Sequence, residues 1–429
     1  MMEFSAPLAA AVPEGGHAIA DVLLMLVAIF VFTKGAGDLA QRIRQPAVLG
    51  ELIAGVLLGG SVLGLVDPAN PVIAAMAEIG VIVLLFTIGL ETALASLVKV
   101  GRTAGMVALA GVVLPFFLGY YAAVWLGLGQ VEALVCGAAL TATSVGISAR
   151  VLSELGWLDS NEGKVVLGAA VIDDIIGLII LAVVASLVSG EPPTVLSVSR
   201  IAGVAILFVA VAVAVGSVVA KPLFRMVERV RVSGALGVIG LAFAFLLAWL
   251  ADLSGSAMIV GAFAAGVVLH GIPQRHDIEV ATTGIGHFFV PIFFASVGAA
   301  VDLRALADPT ALAVGGVLIV VGIFGKVVAG YAPWWYRGRK LLVGVAMVPR
   351  GEVGLIFAQM GLAAGAISAG DFGALMLMVL VTTFVTPPAL AYLSRRHPPA
   401  VPGREDLPGQ GGIDDLVAGA NPRDEVPPH

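Results

Sequence analysis

The sequence predicts an all-α polytopic membrane protein of about thirteen transmembrane helices, and three observations carry that reading. Of its 429 residues, 59% are hydrophobic and 12% charged, with a mean hydropathy of +1.05, which excludes an ordinary soluble domain. Apolar runs recur along the chain at close to the ~20 residues that a helix needs to cross a hydrocarbon core of roughly 30 Å. Basic residues gather in alternate connections between those runs.

The first span, 18–33, follows seventeen residues that carry Glu3 and Glu14 but no Lys or Arg. Without the basic start of a signal peptide it is read as a retained span, with 1–17 extracytoplasmic. Lys34, Arg42 and Arg44 separate it from span two (46–66), and a short polar turn leads to span three (71–90). Lys99 and Arg102 mark the entry to span four (103–128), which turns into span five (131–149). Arg150 and Lys164 mark the entry to span six (163–188), and Arg200 precedes span seven (201–220). Lys221, Arg225, Arg229 and Arg231 lead to span eight (232–252), followed by the short span nine (255–271). Arg275 precedes span ten (279–301), Arg304 span eleven (309–336), and Arg337, Arg339 and Lys340 span twelve (341–364); span thirteen is 371–393.

With this alternation, 19 of the 23 Lys and Arg fall on one side, counting the C-terminal tail, and only Arg200 and Arg304 on the other. The richer side is cytoplasmic by the positive-inside rule, so the N-terminus is expected outside and the C-terminus inside the cytoplasmic (inner) membrane. The tail, 394–429, is rich in Pro, Gly, Asp and Arg and reads as disordered. The 54 glycines suit close helix packing in lipid, and the single cysteine, Cys136, excludes an internal disulfide or a cysteine metal cluster. No Gly-rich dinucleotide fingerprint follows a strand, and neither a cofactor nor a nucleic-acid partner is expected.

Chemistry concentrates where charge is most costly. Asp173 and Asp174 sit side by side in KVVLGAAVIDDIIGLIILAVVASLV (164–188), nine residues or roughly 14 Å of helix from Lys164. Paired carboxylates near the bilayer midplane point to the handling of cations or protons. Lys326, Arg350 and Glu352 are the other midspan charges, and Lys326 needs an acidic partner at that depth. Asp21, Glu51 and Glu78 lie off-centre and read as packing, pairing or interfacial residues. His287 reads as a core histidine, and Trp334 and Trp335 as interfacial anchors.

Two segments read as interrupted helices: LTATSVGISAR (140–150), rich in Thr and Ser, and VPRGEVGLI (348–356), where Pro349 and Gly351 break the helix. Ser144-Val145-Gly146-Ile147 echoes Glu352-Val353-Gly354-Leu355. The echo falls in spans five and twelve, which run in opposite directions, as an inverted repeat with crossing broken helices requires.

AVIDDIIGLIILAV, LTATSVGISARVL, FGKVVAGY, VPRGEVGLIFA, AEIGVIVLLFTIGLE and FFVPIFFASVGAAVDL together resemble the second monovalent cation:proton antiporter family, and the Asp-Asp pair with a lysine resembles its NapA-like sodium/proton exchangers. The resemblance covers essentially all of 18–393. It implies a NhaA/NapA-like inverted-repeat fold with a transport domain (103–188 and 309–393), a dimerisation domain (18–90 and 232–301), a linker helix (201–220) and a homodimer. It also implies Na⁺ bound at Asp174, a pair between Asp173 and Lys326, and an unwound segment at Thr143 and Ser144 approaching the cation. Arg350 and Glu352 would support the second break. Kef-type potassium efflux relatives usually lack the aspartate pair and carry a nucleotide-binding domain.

The expected activity is exchange of Na⁺, with Li⁺ as a further cation, for H⁺ by alternating access. Its roles would be in pH and sodium homeostasis, at roughly two protons per sodium. K⁺/H⁺ exchange is the alternative. A Na⁺-coupled solute symporter is disfavoured by the few polar residues, and a channel by the lack of a charged ring. Enzymatic chemistry is not expected.

Overall fold

The computed structural model describes residues 14–188, 194–230, 232, 234–301, 303 and 309–396. The expected N-terminal segment before Glu14, the tail from 397 and Arg304 lie outside the described residues. All regular structure described is helical. The helices are α1 (Glu14–Arg42), α2 (Ala47–Leu58), α3 (Pro71–Glu91), α4 (Leu94–Trp125), α5 (Gln130–Ala139), α6 (Val145–Glu154), α7 (Asn161–Val188) and α8 (Val195–Val227), then α9 (Ala235–Leu253), α10 (Met258–His270), α11 (Arg275–Ala299), α12 (Pro309–Ala329), α13 (Lys340–Ala346), α14 (Glu352–Ala363) and α15 (Ala369–Arg396). Among the described residues nine helices are long and apolar enough to cross a membrane; α2, α5, α10 and α14 are shorter and apolar.

Several helices outrun the apolar windows. α1, α4 and α8 extend to include Lys34 and Arg42, Lys99 and Arg102, and Lys221 and Arg225. Hydropathy sees where the apolar residues stop, whereas the helix continues into the interface on side chains whose stems are apolar and whose heads reach water. The opposite error occurs at span eleven, expected to reach 336: α12 ends at Ala329. There Gly330 packs directly on the backbone of Gly344 and the carbonyl of Lys340, and Pro333 follows. Lys326 therefore stands in the last turn of α12 rather than ten residues from its end.

The helices pack as two groups. In one, α3 lies between α10 and α11, α11 rests on α2, α2 on α1, and α9 on α10. Backbones touch at the α3–α10 contact, where a side chain at Gly89 or Gly266 would strike the facing helix. In the other, α4 packs on α7, α5 and α12, α12 on α15, and α14 on α5 and α15. α8 leans on α7, α9 and α10 and so touches both groups, while direct contacts across the seam are sparse. Many outward residues of α1 are large and apolar, among them Leu24, Val27 and Val31, as expected where the solvent is lipid.

Aromatic residues secure the ends of the second group. Arg102 lies over the Trp335 ring (4.3 Å), whose indole N–H donates to Thr103 Oγ1 (3.2 Å). Arg339 lies over Trp157 (4.8 Å), and its backbone N–H donates to Glu162 (2.8 Å). Trp334 is exposed, consistent with an interfacial anchor.

Candidate functional site

The two interrupted helices meet. α5 stops at Ala139, residues 142–144 are non-helical, and α6 restarts at Val145; α13 stops at Ala346, and α14 restarts at Glu352. A break inside lipid is tolerated only when its freed backbone groups find partners. Here they find each other: Ser144 N–H donates to the Pro349 carbonyl (2.8 Å), Thr143 Oγ1–H to Met347 (3.2 Å) and Ser148 Oγ–H to Ala346 (2.5 Å). Arg350 is fully buried and donates through Nη1 to Met347 (3.2 Å), while Thr383 on α15 donates to the Arg350 carbonyl (2.6 Å). The second break is thus bonded through four carbonyls. The carbonyls of Thr141, Ala142 and Thr143 accept no hydrogen bond found among the described residues, which leaves them as candidate cation ligands.

α7 brings the carboxylates to this crossing. Asp173 is fully buried, and its Oδ2 accepts from Lys326 Nζ (3.1 Å) and from the backbone N–H of Thr143 (2.8 Å). The expected Asp173–Lys326 pair is therefore present, and it joins α7, α12 and the first break. A buried pair of this kind is bound less for stability than because either partner alone would be an uncompensated charge. Asp174, one residue and about 100° further round the helix, is 4% exposed and lines a different space. That space is a cavity of about 20 Å³, bounded by Thr143, Ser144 and Gly351 from the breaks and by Val81, Ile259 and Phe293 from α3, α10 and α11. At least ~10–15 Å³ is needed for one water molecule, so the cavity suits a single small occupant. It lies on the seam between the two helix groups.

Two further cavities continue from it. One of about 70 Å³, almost wholly apolar, shares Ser144, Phe293 and Gly351 and reaches Ala300 and Val301. The next, about 370 Å³, shares Ala300 and Val301 and is bounded by Ser61, Asp67 and Pro68 in the α2–α3 connection.

Of the residues expected at the site, Asp173, Asp174, Lys326, Thr143, Ser144 and Arg350 converge. Glu352 opens α14, but its side chain lies outside the described residues. Thr143 approaches Asp173 through its backbone, with its hydroxyl spent on Met347, so Ser144 is the break side chain that borders the Asp174 cavity without such a bond to the other break. Sequence reasoning missed Gly111 on α4, where a Cβ would lie 3.3 Å from Lys326 Nζ; the glycine makes room for the ammonium. Nothing in the sequence marks Gly111 off from the other glycines of the apolar spans; the packing of α4 on α12 gives it this role.

The family assignment follows from comparison with known proteins. A family model described as sodium/hydrogen exchanger, transmembrane, matches residues 24–395, nearly the whole chain. The chain belongs to this sodium/hydrogen exchanger family. It is thus a secondary transporter and not an enzyme. The exchanger is 39% identical over 412 residues to the high-affinity Na⁺/H⁺ antiporter NhaS3 of Synechocystis, covering 87% of this chain and 89% of that one. It is 34% identical to the Na⁺/H⁺-K⁺ antiporter GerN of Bacillus cereus, covering 87% and 96%. Its fold is similar to that of the sodium proton antiporter MjNhaP1 of Methanocaldococcus jannaschii, with a TM-score of 0.65 at 16% identity over 88% of this chain and all of that one.

Gly351 tests the crossing of the exchanger's broken helices. An added Cβ would lie 2.7 Å from Ser144 Oγ and 2.8 Å from Ser144 Cβ. Gly351→Ala is expected to lower stability by roughly 1–3 kcal/mol through overpacking and to slow transport while the protein still inserts. Unchanged melting temperature and transport rate in the purified variant would show that the two breaks do not bear on each other.

Proposed function

We propose that the protein exchanges Na⁺ for H⁺ by alternating access, with Asp174 as the shared binding group. The observation that carries this reading is the division of the aspartate pair: Asp173 is held by Lys326, while Asp174 borders a one-occupant cavity at the crossing of two broken helices. A carboxylate with room for one small ligand binds either a partly dehydrated Na⁺ or a proton. The names of the relatives NhaS3 and GerN support the same substrates.

In this reading each interrupted pair, α5 with α6 and α13 with α14, makes one crossing, so the fifteen helices make thirteen. The two breaks belong to an inverted repeat, and the group containing α4–α7 and α12–α15 is the moving transport domain. The group around α3, α10 and α11 is the fixed, dimerising one, and α8 links them. The N-terminus is outside, so the cavities leading to the α2–α3 connection form the outward route. Their apolar middle section is a barrier that a hydrated ion does not cross until the domains move. Na⁺ arriving at Asp174 weakens the Asp173–Lys326 pair, and Lys326 gives up a proton, for two protons per sodium and net charge movement.

Purified protein in proteoliposomes with a trapped pH dye tests this. An inward Na⁺ gradient is expected to drive protons out, and the reversal potential under a clamped membrane voltage gives the stoichiometry. Competition for one carboxylate further predicts that the KM for Na⁺ rises as pH falls, by about tenfold per unit in the acid limit, at constant maximal rate. A KM independent of pH would reject the shared site. Replacing Na⁺ by K⁺ in the same assay decides between Na⁺ and K⁺ as the driving ion.

A further inference from the structure

Away from the ion site, a long cleft runs between α7, α8 and α9. Its upper part, about 600 Å³, is lined by Leu178, Leu181, Ala182 and Ala185 of α7, by Arg200 and Ile201 of α8, and by the Leu253–Gly255 end of α9. It shares Val204 and Ser254 with a lower part of about 440 Å³ that is almost entirely apolar, between the Leu207–Val219 face of α8 and Phe243, Leu247 and Leu250 of α9. From Val204 to Val219 is about 22 Å of helix at ~1.5 Å per residue, and each part falls within the ~300–1,000 Å³ of ligand clefts. Arg200 stands one turn beyond Val204, at the mouth. It is exposed, and its side chain makes no ion pair or hydrogen bond among the described residues. Asp252 adjoins the α9 wall, yet no ion pair joins it to Arg200. The arginine is also anomalous in the sequence, as one of only two basic residues on its side of the membrane.

We propose that this cleft binds an anionic glycerophospholipid, one acyl chain lying in the apolar trough of α8 and α9 and the phosphate held by Arg200. A guanidinium offers paired donors that match phosphate geometry, and an apolar trough opening to the bilayer is filled by a lipid chain in preference to a water-soluble anion. One wall belongs to α7, the helix that carries Asp173 and Asp174, and the others to α8 and α9. On the domain assignment proposed above, transport changes the width of this cleft, so a bound lipid favours one state and sets the transport rate. The binding itself does not depend on that assignment.

Native mass spectrometry of the purified protein tests binding directly, with phosphatidylglycerol and phosphatidylcholine of matched chains as probes. Wild type is expected to retain phosphatidylglycerol preferentially, and Arg200→Gln to bind it roughly fivefold less tightly, as loss of one lipid-facing cation implies. Val211→Trp, which fills the trough, is expected to weaken both lipids while leaving Na⁺-driven exchange in detergent-free vesicles measurable. Inorganic phosphate at millimolar concentration is expected not to displace the lipid; displacement would identify a free-anion site and overturn the proposal. So would equal retention of the two lipids, or wild-type retention by both variants. A protein that binds the lipid but fails to exchange Na⁺ would leave this site standing and remove the proposed transport function instead.

Discussion

Asp174→Asn is expected to abolish Na⁺-driven proton movement in proteoliposomes, down to the level of protein-free vesicles. Asparagine keeps the volume and the hydrogen-bonding reach of the side chain, so the 4%-exposed position and the packing of α7 are preserved. It removes the negative charge that, in the proposed mechanism, both ligands share. A dehydrated Na⁺ in a cavity of about 20 Å³ has no bulk water to compensate it, and an amide dipole does not replace a carboxylate there. Binding is separable from transport: a ligand held only by the folded state raises stability, by about 2.7 kcal/mol at a hundred times its Kd. Wild type is therefore expected to melt at higher temperature in NaCl than in a choline salt, and Asp174→Asn to melt identically in both. Residual Na⁺-dependent exchange in the variant would remove Asp174 from its central role.

Breaking the buried pair has the second large effect, and on stability first. Lys326→Met removes the ion-pair partner of the fully buried Asp173 carboxylate and leaves it the Thr143 N–H and the more distant charge of the buried Arg350, and loss of one partner of a buried pair costs about 3–5 kcal/mol. Asp173→Asn with Lys326→Met removes both charges and is expected to recover most of that loss, since replacing a buried pair by neutral groups is often neutral or stabilising by about 1–4 kcal/mol. Thermal unfolding in detergent of the two single variants and the double variant gives the coupling. Additive losses would mean that the 3.1 Å contact does not act as a pair. Lys326→Gln has a separate electrical readout: if the ammonium carries one of two protons, its loss moves the reversal potential toward electroneutral exchange, whereas an unchanged potential rejects the lysine as a carrier.

The legibility of the site was uneven, and the reasons are physical. Asp173, Asp174 and Lys326 announced themselves because ionised groups in apolar runs are rare and costly. The breaks at 140–150 and 348–356 were visible through Thr, Ser, Pro and Gly in otherwise apolar spans. The role of Gly111 was not visible, since a glycine that makes room for an ammonium resembles the other glycines of a membrane protein. Nor was the end of α12: Tyr331, Trp334 and Trp335 prolong the uncharged run as far as Tyr336, while Gly330 meeting the backbone of Gly344 ends the helix.

What the sequence by itself determined is the class of molecule and the inventory of its chemistry: an all-helical membrane protein, its apolar segments, and the few charges buried among them. Those follow from the cost of exposing polar groups to lipid, a cost each segment bears alone and therefore records in its own residues. The different surroundings of the two aspartates were decided by tertiary structure. Two neighbours on one helix differ only in which way they face. Lys326 from α12 and the Thr143 amide meet Asp173, while Phe293, Ile259 and Val81 from the other helix group close the cavity beside Asp174. Direction and enclosure are properties of the packed bundle, so a local pattern does not carry them.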